Sequence, residues 1–545
     1  MAIVTLNKKE IKKIIGNVSD EKIDETLSLF STPIEKITED EIEVEVAPNR
    51  PDMLSAQGLQ RALSSYLGKK TGLIDYKMKK PEKDFAVIID SSVKDIRPYT
   101  ACAIVKNLKF NDEKIKEIID IQEKLHTTIG RKRKKVAIGI YPLEKIKLPI
   151  TFKALEPDKI KFTPLEFDRE MSGLEILQRH PTGKEYAHLL AGKTKFPIFV
   201  DANNQVLSMP PIINSQLTGK ISEETKEIFI ECSGFDFEIL KKCINIIVTS
   251  LADMGGEIYQ MELKYKNKEI TPDFTPEKMK ISAGNANKLL GLDLNEKQIK
   301  ILLEKMGYNY EKGIVSIPAW RVDILHEVDL IEDIAIAYGY DKFIPEIPSI
   351  STIGQENKNE AIKRKISDIL TGLNFLEISN YHLTTKEDQF KKMGCQDKEI
   401  KNFIEVENSK TDFNILRKDL THYLLKILSE NVDAEYPQKI FETGITFEGI
   451  NEKEKLGISI SSGNFTELKQ IIEYLFRMIN FEIKIEEPEK NPEWFIEGRS
   501  AEIIYDKKNI GVFGEIHPKI LKNWKLKMPV ALAEINLEEI FEKLG

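Results

Sequence analysis

Cysteine is scarce in this chain. Cys102, Cys232, Cys243 and Cys395 are scattered through 545 residues. No two of them stand as C-x-x-C, which argues against a zinc ribbon and a disulfide framework and points to a reducing, cytoplasmic compartment. The seven histidines show no metal-ligand spacing, and His326-Glu327 is not followed by a second histidine at the required offset. No apolar run approaches the roughly 18 residues of a membrane span. The opening MAIVTLNKKEIKKIIG carries charge where a signal peptide needs an apolar core. Positive charge is not in excess: 80 Lys+Arg against 88 Asp+Glu leave a net charge of −8. That balance excludes a blanket electrostatic nucleic-acid binder and leaves room for a local basic patch. With 41% hydrophobic and 31% charged residues the composition is that of a globular protein, long enough for about three or four domains of about 150 residues.

Hydrophobic periodicity divides the chain into four blocks and an overall α+β multidomain class. In residues 1–85, Asn7 can cap a short helix that Gly16 ends, Ile42, Val44 and Val46 alternate with glutamates as a strand, and Asp52 is placed to cap a helix that stops at Gly68. Residues 86–268 are rich in strand patterns. Phe196–Val200 and Val206–Met209 form a hairpin through Asp201-Ala202-Asn203-Asn204, where asparagine tolerates the left-handed turn. Glu231 and Cys232 follow the apolar run Ile228-Phe229-Ile230. A helix then carries Leu240, Cys243, Ile244, Ile247, Val248 and Leu251 on one face. Residues 269–347 read as helix, helix and hairpin, a winged-helix-like module, with Asn295 and Gln298 as a capping pair. Residues 348–545 mix helices and strands after a lysine-rich helix near Ala361–Leu373.

Three motifs invite chemistry. Ala187–Thr194 (AHLLAGKT) fits a relaxed phosphate loop, but a helix-like stretch precedes it and a strand follows, the reverse of the order a phosphate loop needs. Asp323, Asp329, Glu332 and Asp333 form a carboxylate cluster. Either they sit favourably near a helix N-terminus and pair with Arg321 or lysines, or they hold a hard cation such as Mg²⁺. Arg131, Lys132, Arg133, Lys134 and Lys135 put five positive charges in a row, either as a solvated loop or strand start or as a contact for nucleic-acid phosphates.

The stretches APNRPDMLS (Ala47–Ser55), GRKRKKVAIGI (Gly130–Ile140), VLSMPPIINS (Val206–Ser215) and RVDILHEVDLIEDIAIAYGY (Arg321–Tyr340), with Ile440–Gly444 and GEIHP (Gly514–Pro518), resemble the β subunit of phenylalanyl–tRNA synthetase in its archaeal and eukaryotic form. The resemblance runs through the chain in the family's order. It implies a partner α subunit in an (αβ)₂ heterotetramer, which uses ATP to attach phenylalanine to tRNA(Phe). It implies that residues 86–268 form an editing domain that hydrolyses mischarged Tyr-tRNA(Phe), and that residues 348–545 form a degenerate, non-catalytic class II synthetase-like antiparallel-sheet domain. It also implies Mg²⁺, shared with the α subunit, at Asp323, Asp329, Glu332 and Asp333.

In the last block Arg417 is followed by Lys418-Asp419 rather than x-Glu, and Arg499 lacks a glycine run, so the ATP site is expected on the α chain. Glu231 is the leading candidate for contact with the tyrosine hydroxyl, with Asn214 and Ser215 lining the same cavity and Ser208 orienting water or the ester. Ser208 and Ser215 serving only turns is the alternative. Tyr141-Pro142 stands where the family often has His-Asp, and the anticodon-binding extension and inserted OB-fold of longer bacterial β subunits are missing. A free-standing editor or tRNA-binding protein with no synthetase partner is the competing expectation.

Overall fold

The computed structural model describes residues 2–395 and 403–545. They form two compact units, Met1–Ile347 and Pro348–Gly545. Among the described residues no helix is long and apolar enough to cross a membrane.

The first unit begins with the strand Ala2–Asn7. The Asn7 side chain accepts from the amides of Lys9 and Glu10 and so starts the helix Lys8–Ile15, which Gly16 ends at a φ of 121°. In the strand Glu41–Val46, Ile42, Val44 and Val46 all point into the core. The next helix, Ala56–Tyr66, is capped by Ser55 and not by Asp52. The Ser55 hydroxyl accepts from the Gly58 amide at 3.0 Å. Pro51 opens a separate turn, Pro51–Met53, and Asp52 is taken by two bonds of 2.9 Å from Arg50.

An eleven-stranded sheet follows. Near one end the strand Ile228–Gly234 runs antiparallel between Tyr99–Lys106 and the edge strand Val136–Pro142, a register that sets Glu231 opposite both Cys102 and Gly139. All seven of its residues are buried. The helix Phe237–Asp253 lays its apolar stripe, Leu240 to Leu251, into the core. At the other end of the sheet the hairpin Phe196–Val200/Val206–Met209 forms as expected. Asp201 accepts from the amides of Asn203 and Gln205, and Asn204 takes a φ of 60°. The short strand Ile213–Asn214 extends the hairpin.

In the last part of this unit the helices Ala283–Leu290 and Glu296–Lys305 and the strands Asn309–Glu311 and Ile314–Ile317 follow in turn. Asn295 and Gln298 cap the second helix reciprocally. The strand Glu277–Lys280, not foreseen in the pattern, adds a third strand to the hairpin. A single hydrophobic core passes through all three of the expected N-terminal blocks, from Leu6 and Leu59 through Ile247 to Leu303 and Ile331.

The second unit is built on a seven-stranded sheet, antiparallel except for Leu376–Glu377 at one edge. Alternation along the strands feeds two cores. Ile458 and Ala533 pack under the helices Lys358–Gly372 and Phe465–Met478, while Ile440 and Leu532 pack with Leu424 and Leu428 on the other face. Arg417 is 1% exposed. It donates to Glu442 at 2.6 Å and to the Ile445 carbonyl at 2.7 Å, and Glu442 also accepts from the Asn380 side chain. A Cβ at Gly444 would collide with this guanidinium, which accounts for the glycine there. Arg417 is thus consumed by the fold and offers nothing to a nucleotide.

Removing one member of a buried ion pair strands the other charge, at about 3–5 kcal/mol. Arg417→Ala is therefore expected to lower the unfolding free energy of the second unit by an amount of that order, read as a fall in its urea midpoint. Fluorescence of Trp494 and Trp524 reports it.

Candidate functional site

A cavity of about 590 Å³ opens beside the edge strand Val136–Pro142, well within the size range of small-molecule sites. Four elements supply the lining residues that bear on the chemistry. The helix Asp112–Thr127 brings Gln122, Glu123 and His126, the edge strand brings Ile138 and Ile140, the strand Ile228–Gly234 brings Glu231, and the segment after Val206 brings Ser208, Pro210, Pro211 and Asn214.

Glu231 is its most unusual group. It is 2% exposed. Its Oε1 accepts from the Tyr141 hydroxyl at 3.2 Å, while its Oε2 is buried with no hydrogen-bond partner. Burial pushes its pKa from 4.5 up to about 8, against the opposing pull of the Arg97 charge and of hydrogen bonds from Tyr141 and Ser233. At neutral pH it is therefore a carboxylic acid, able both to donate and to accept. The Ser208 hydroxyl is likewise buried without a partner. Two polar groups with unmet hydrogen bonds face one cavity, and a buried unmet group is costly unless a ligand meets it.

His126 is not a free base. Its Nε2 accepts the Ile138 amide at 2.8 Å, which leaves the proton on Nδ1 to donate to Glu123 at 3.1 Å. That bond, with help from Arg133, holds Glu123 down at about 2, so Glu123 stays ionised.

The other expected residues divide. Asn214 lines the cavity, and its Oδ1 lies 3.4 Å from the Tyr141 hydroxyl. Ser215 does not line it. The strand ends at Asn214, and Ser215 holds the following turn, its amide donating to the Leu207 carbonyl and its hydroxyl accepting from the Leu217 amide.

The basic run is neither a strand start nor a uniformly solvated loop. Arg131, Lys132 and Arg133 take φ values of 46°, 53° and 63°, a left-handed turn between helix and edge strand that is costly for non-glycine residues. Arg133 turns inward, donating to the Ile212 carbonyl and to Glu123, with its guanidinium over the Tyr186 ring at 4.6 Å. Arg131, Lys132, Lys134 and Lys135 remain exposed near the cavity.

The carboxylate cluster does not form one face. Asp323 precedes the helix Glu327–Tyr338 and is bound by two bonds from Arg321. Asp333, 5% exposed, points into the core, where Arg321 and Tyr308 both donate to it. Asp329 caps the helix, accepting from the amides of Leu325 and His326. Glu332 stands apart, on a groove with Leu289 and Tyr340. Among the described residues no group of three or more His, Cys, Asp or Glu is arranged to hold a metal ion. The four carboxylates thus do not fit a Mg²⁺ cage within this chain, because an arginine, a tyrosine and a helix N-terminus have already engaged three of them.

Gly139, Tyr141, Gln122 and His126 were not legible as site residues. Only strand register places Gly139 opposite Glu231.

Comparison with known proteins finds three family models in chain order. They are the B3/4 domain at residues 85–252, the tRNA synthetase B5 domain at residues 279–340, and the phenylalanyl tRNA synthetase beta chain CLM domain at residues 344–537. Among curated relatives, the phenylalanine–tRNA ligase beta subunit of Thermococcus sibiricus is 41% identical over 91% of this chain and 90% of its own length. That of Archaeoglobus fulgidus is 38% identical over 99% of both. An N-terminal fragment of the Pyrococcus horikoshii phenylalanyl-tRNA synthetase beta subunit superposes with a TM-score of 0.59 at 38% identity, over 62% of this chain and 99% of the fragment.

The raised Glu231 pKa has a sign that can be checked. Between about pH 4.5 and pH 8 the folded state holds a proton that the unfolded state has released, so stability falls as pH rises through that window. Glu231→Gln, neutral throughout, is expected to gain on wild type from pH 5 to pH 8 in denaturant titrations, with the gain levelling off above pH 8.

Proposed function

The chain belongs to the phenylalanine–tRNA ligase beta-subunit family, and from that premise we propose that the cavity at Glu231 is where tyrosine wrongly attached to tRNA(Phe) is hydrolysed. The carrying observation is the pair of buried, unpartnered atoms, Glu231 Oε2 and the Ser208 hydroxyl, facing one cavity. Tyrosine differs from phenylalanine by one phenolic hydroxyl. A site that hydrogen-bonds this hydroxyl rejects phenylalanine, because its own polar groups would then stay unmet. Glu231 Oε2 is the partner for that hydroxyl. Asn214 and Ser208 bound the space beside it, with Ser208 placed to orient water or the ester carbonyl. Hydrolysis adds water across the ester, returning free tyrosine and the terminal tRNA hydroxyl. His126, with both ring nitrogens engaged, takes no part in the proton transfer.

Phenylalanine activation with ATP belongs to the α subunit, in an (αβ)₂ assembly with tRNA(Phe). The locked Arg417–Glu442 pair supports placing no adenylation site in this chain. Arg131, Lys132, Lys134 and Lys135 are the tRNA phosphate contacts nearest the cavity, and in a chain of net charge −8 such contact is local. A free-standing editor would need neither the residues around the B5 match nor the second unit, yet the Archaeoglobus relative is matched over 99% of its length.

Co-expression with a class II α chain is expected to give a complex that charges tRNA(Phe) with phenylalanine and deacylates Tyr-tRNA(Phe). Glu231→Ala in that complex is expected to lose the deacylation by at least tenfold while keeping phenylalanine charging. Unchanged deacylation removes Glu231 from the site, and a monomer fully active alone would favour the free-standing editor.

A further inference from the structure

We infer that Tyr141 is a positioning residue for this site: its buried phenol holds the Glu231 carboxyl by Oε1, so that Oε2 is the oxygen presented to the ligand hydroxyl. The inference rests on the editing function proposed above. Tyr141 is 0% exposed and does not line the cavity, so it acts through the groups that do.

Strand register pairs Tyr141 with Phe229, two residues before Glu231, and the two rings stack with centroids 5.8 Å apart. The Tyr141 hydroxyl then lies 3.2 Å from Glu231 Oε1 and 3.4 Å from Asn214 Oδ1, two cavity-lining groups from different strands. Gly139 sits on the same face of the edge strand. A Cβ there would collide with the Tyr141 hydroxyl and lie 2.6 Å from Glu231 Oε1, so the strand omits a side chain where phenol and carboxyl meet.

The other groups bearing on Glu231 are Arg97, Ser233, Cys102 and Cys232. Arg97 spends its Nε and Nη2 on Ser233, so it reaches Glu231 as charge. A carboxyl free to rotate would present either oxygen and lose rotamer freedom on binding. One pinned at Oε1 is already set for the ligand.

The test uses the complex with the α subunit and preformed Tyr-tRNA(Phe) and Phe-tRNA(Phe). Tyr141→Phe keeps the ring and removes the hydroxyl. It is expected to raise KM for Tyr-tRNA(Phe) hydrolysis by about five- to tenfold, the worth of one hydrogen bond, with kcat and phenylalanine charging near wild type. The preference for the tyrosyl over the phenylalanyl ester falls by the same factor. The pH midpoint of hydrolysis moves upward, because a donor that favours ionised Glu231 is gone. A residue that only fills space would move neither the preference nor the midpoint.

Wild-type KM, preference and midpoint in Tyr141→Phe, alongside an impaired Glu231→Ala, would overturn the positioning role and leave the editing site standing. Wild-type behaviour in both variants would overturn the two together. If Tyr141→Phe fails to fold, 3-fluorotyrosine at position 141 keeps the ring and the hydroxyl and makes the phenol a stronger donor to Glu231. A lower pH midpoint of hydrolysis then supports the role, and an unchanged midpoint overturns it.

Discussion

The site depends on one strand. Ile228–Gly234 is hydrogen-bonded along both edges and buried along its whole length, so any ionisable side chain at its middle must be dry. Desolvation follows from that placement and makes Glu231 a neutral acid at physiological pH. The edge strand then decides what the acid meets. At Gly139 it leaves a gap, two residues later it brings a phenol, and beyond its outer side the cavity opens.

A second constraint governs the cations. A buried guanidinium must be paired, and where one is available it captures nearby carboxylates. Arg321 takes Asp323 and Asp333, Arg50 takes Asp52, and Arg417 takes Glu442. Arg133 is partly drawn in by the same chemistry, bridging the helix Asp112–Thr127 to the segment after Val206. Three carboxylates of the apparent cation cage, and Arg133 within the basic run, are in these places internal fasteners.

Local signals were readable where the physics is local. Asn7 and Asn295 cap the helices they precede, because capping needs only a side chain and the next few amides. Alternation marked the strand Glu41–Val46, and a wide apolar stripe marked the helix Phe237–Asp253, because burial acts on one face at a fixed period. Glu231 stood out as a carboxylate after an apolar run. The misses share a cause. Asp52 lost its capping role to Ser55 because Arg50, brought back by the turn at Pro51, competes for it. Asp333 belongs to the core because Tyr308 and Arg321 approach from 25 and 12 residues away. Ser215 serves a turn because the strand stops one residue earlier.

The sequence by itself determined the family, the helix starts at Asn7 and Asn295, and the presence of one lone acid in an apolar strand. These follow from patterns a few residues long and from motifs that run in one order along the chain. Only the tertiary structure decided which carboxylates are free and which are consumed, that the basic run is a left-handed turn with Arg133 folded inward, and that Tyr141 and Gly139 stand against Glu231. Those outcomes depend on strand register and on partners tens of residues distant. No short-range pattern encodes which of several carboxylates a buried arginine will reach first.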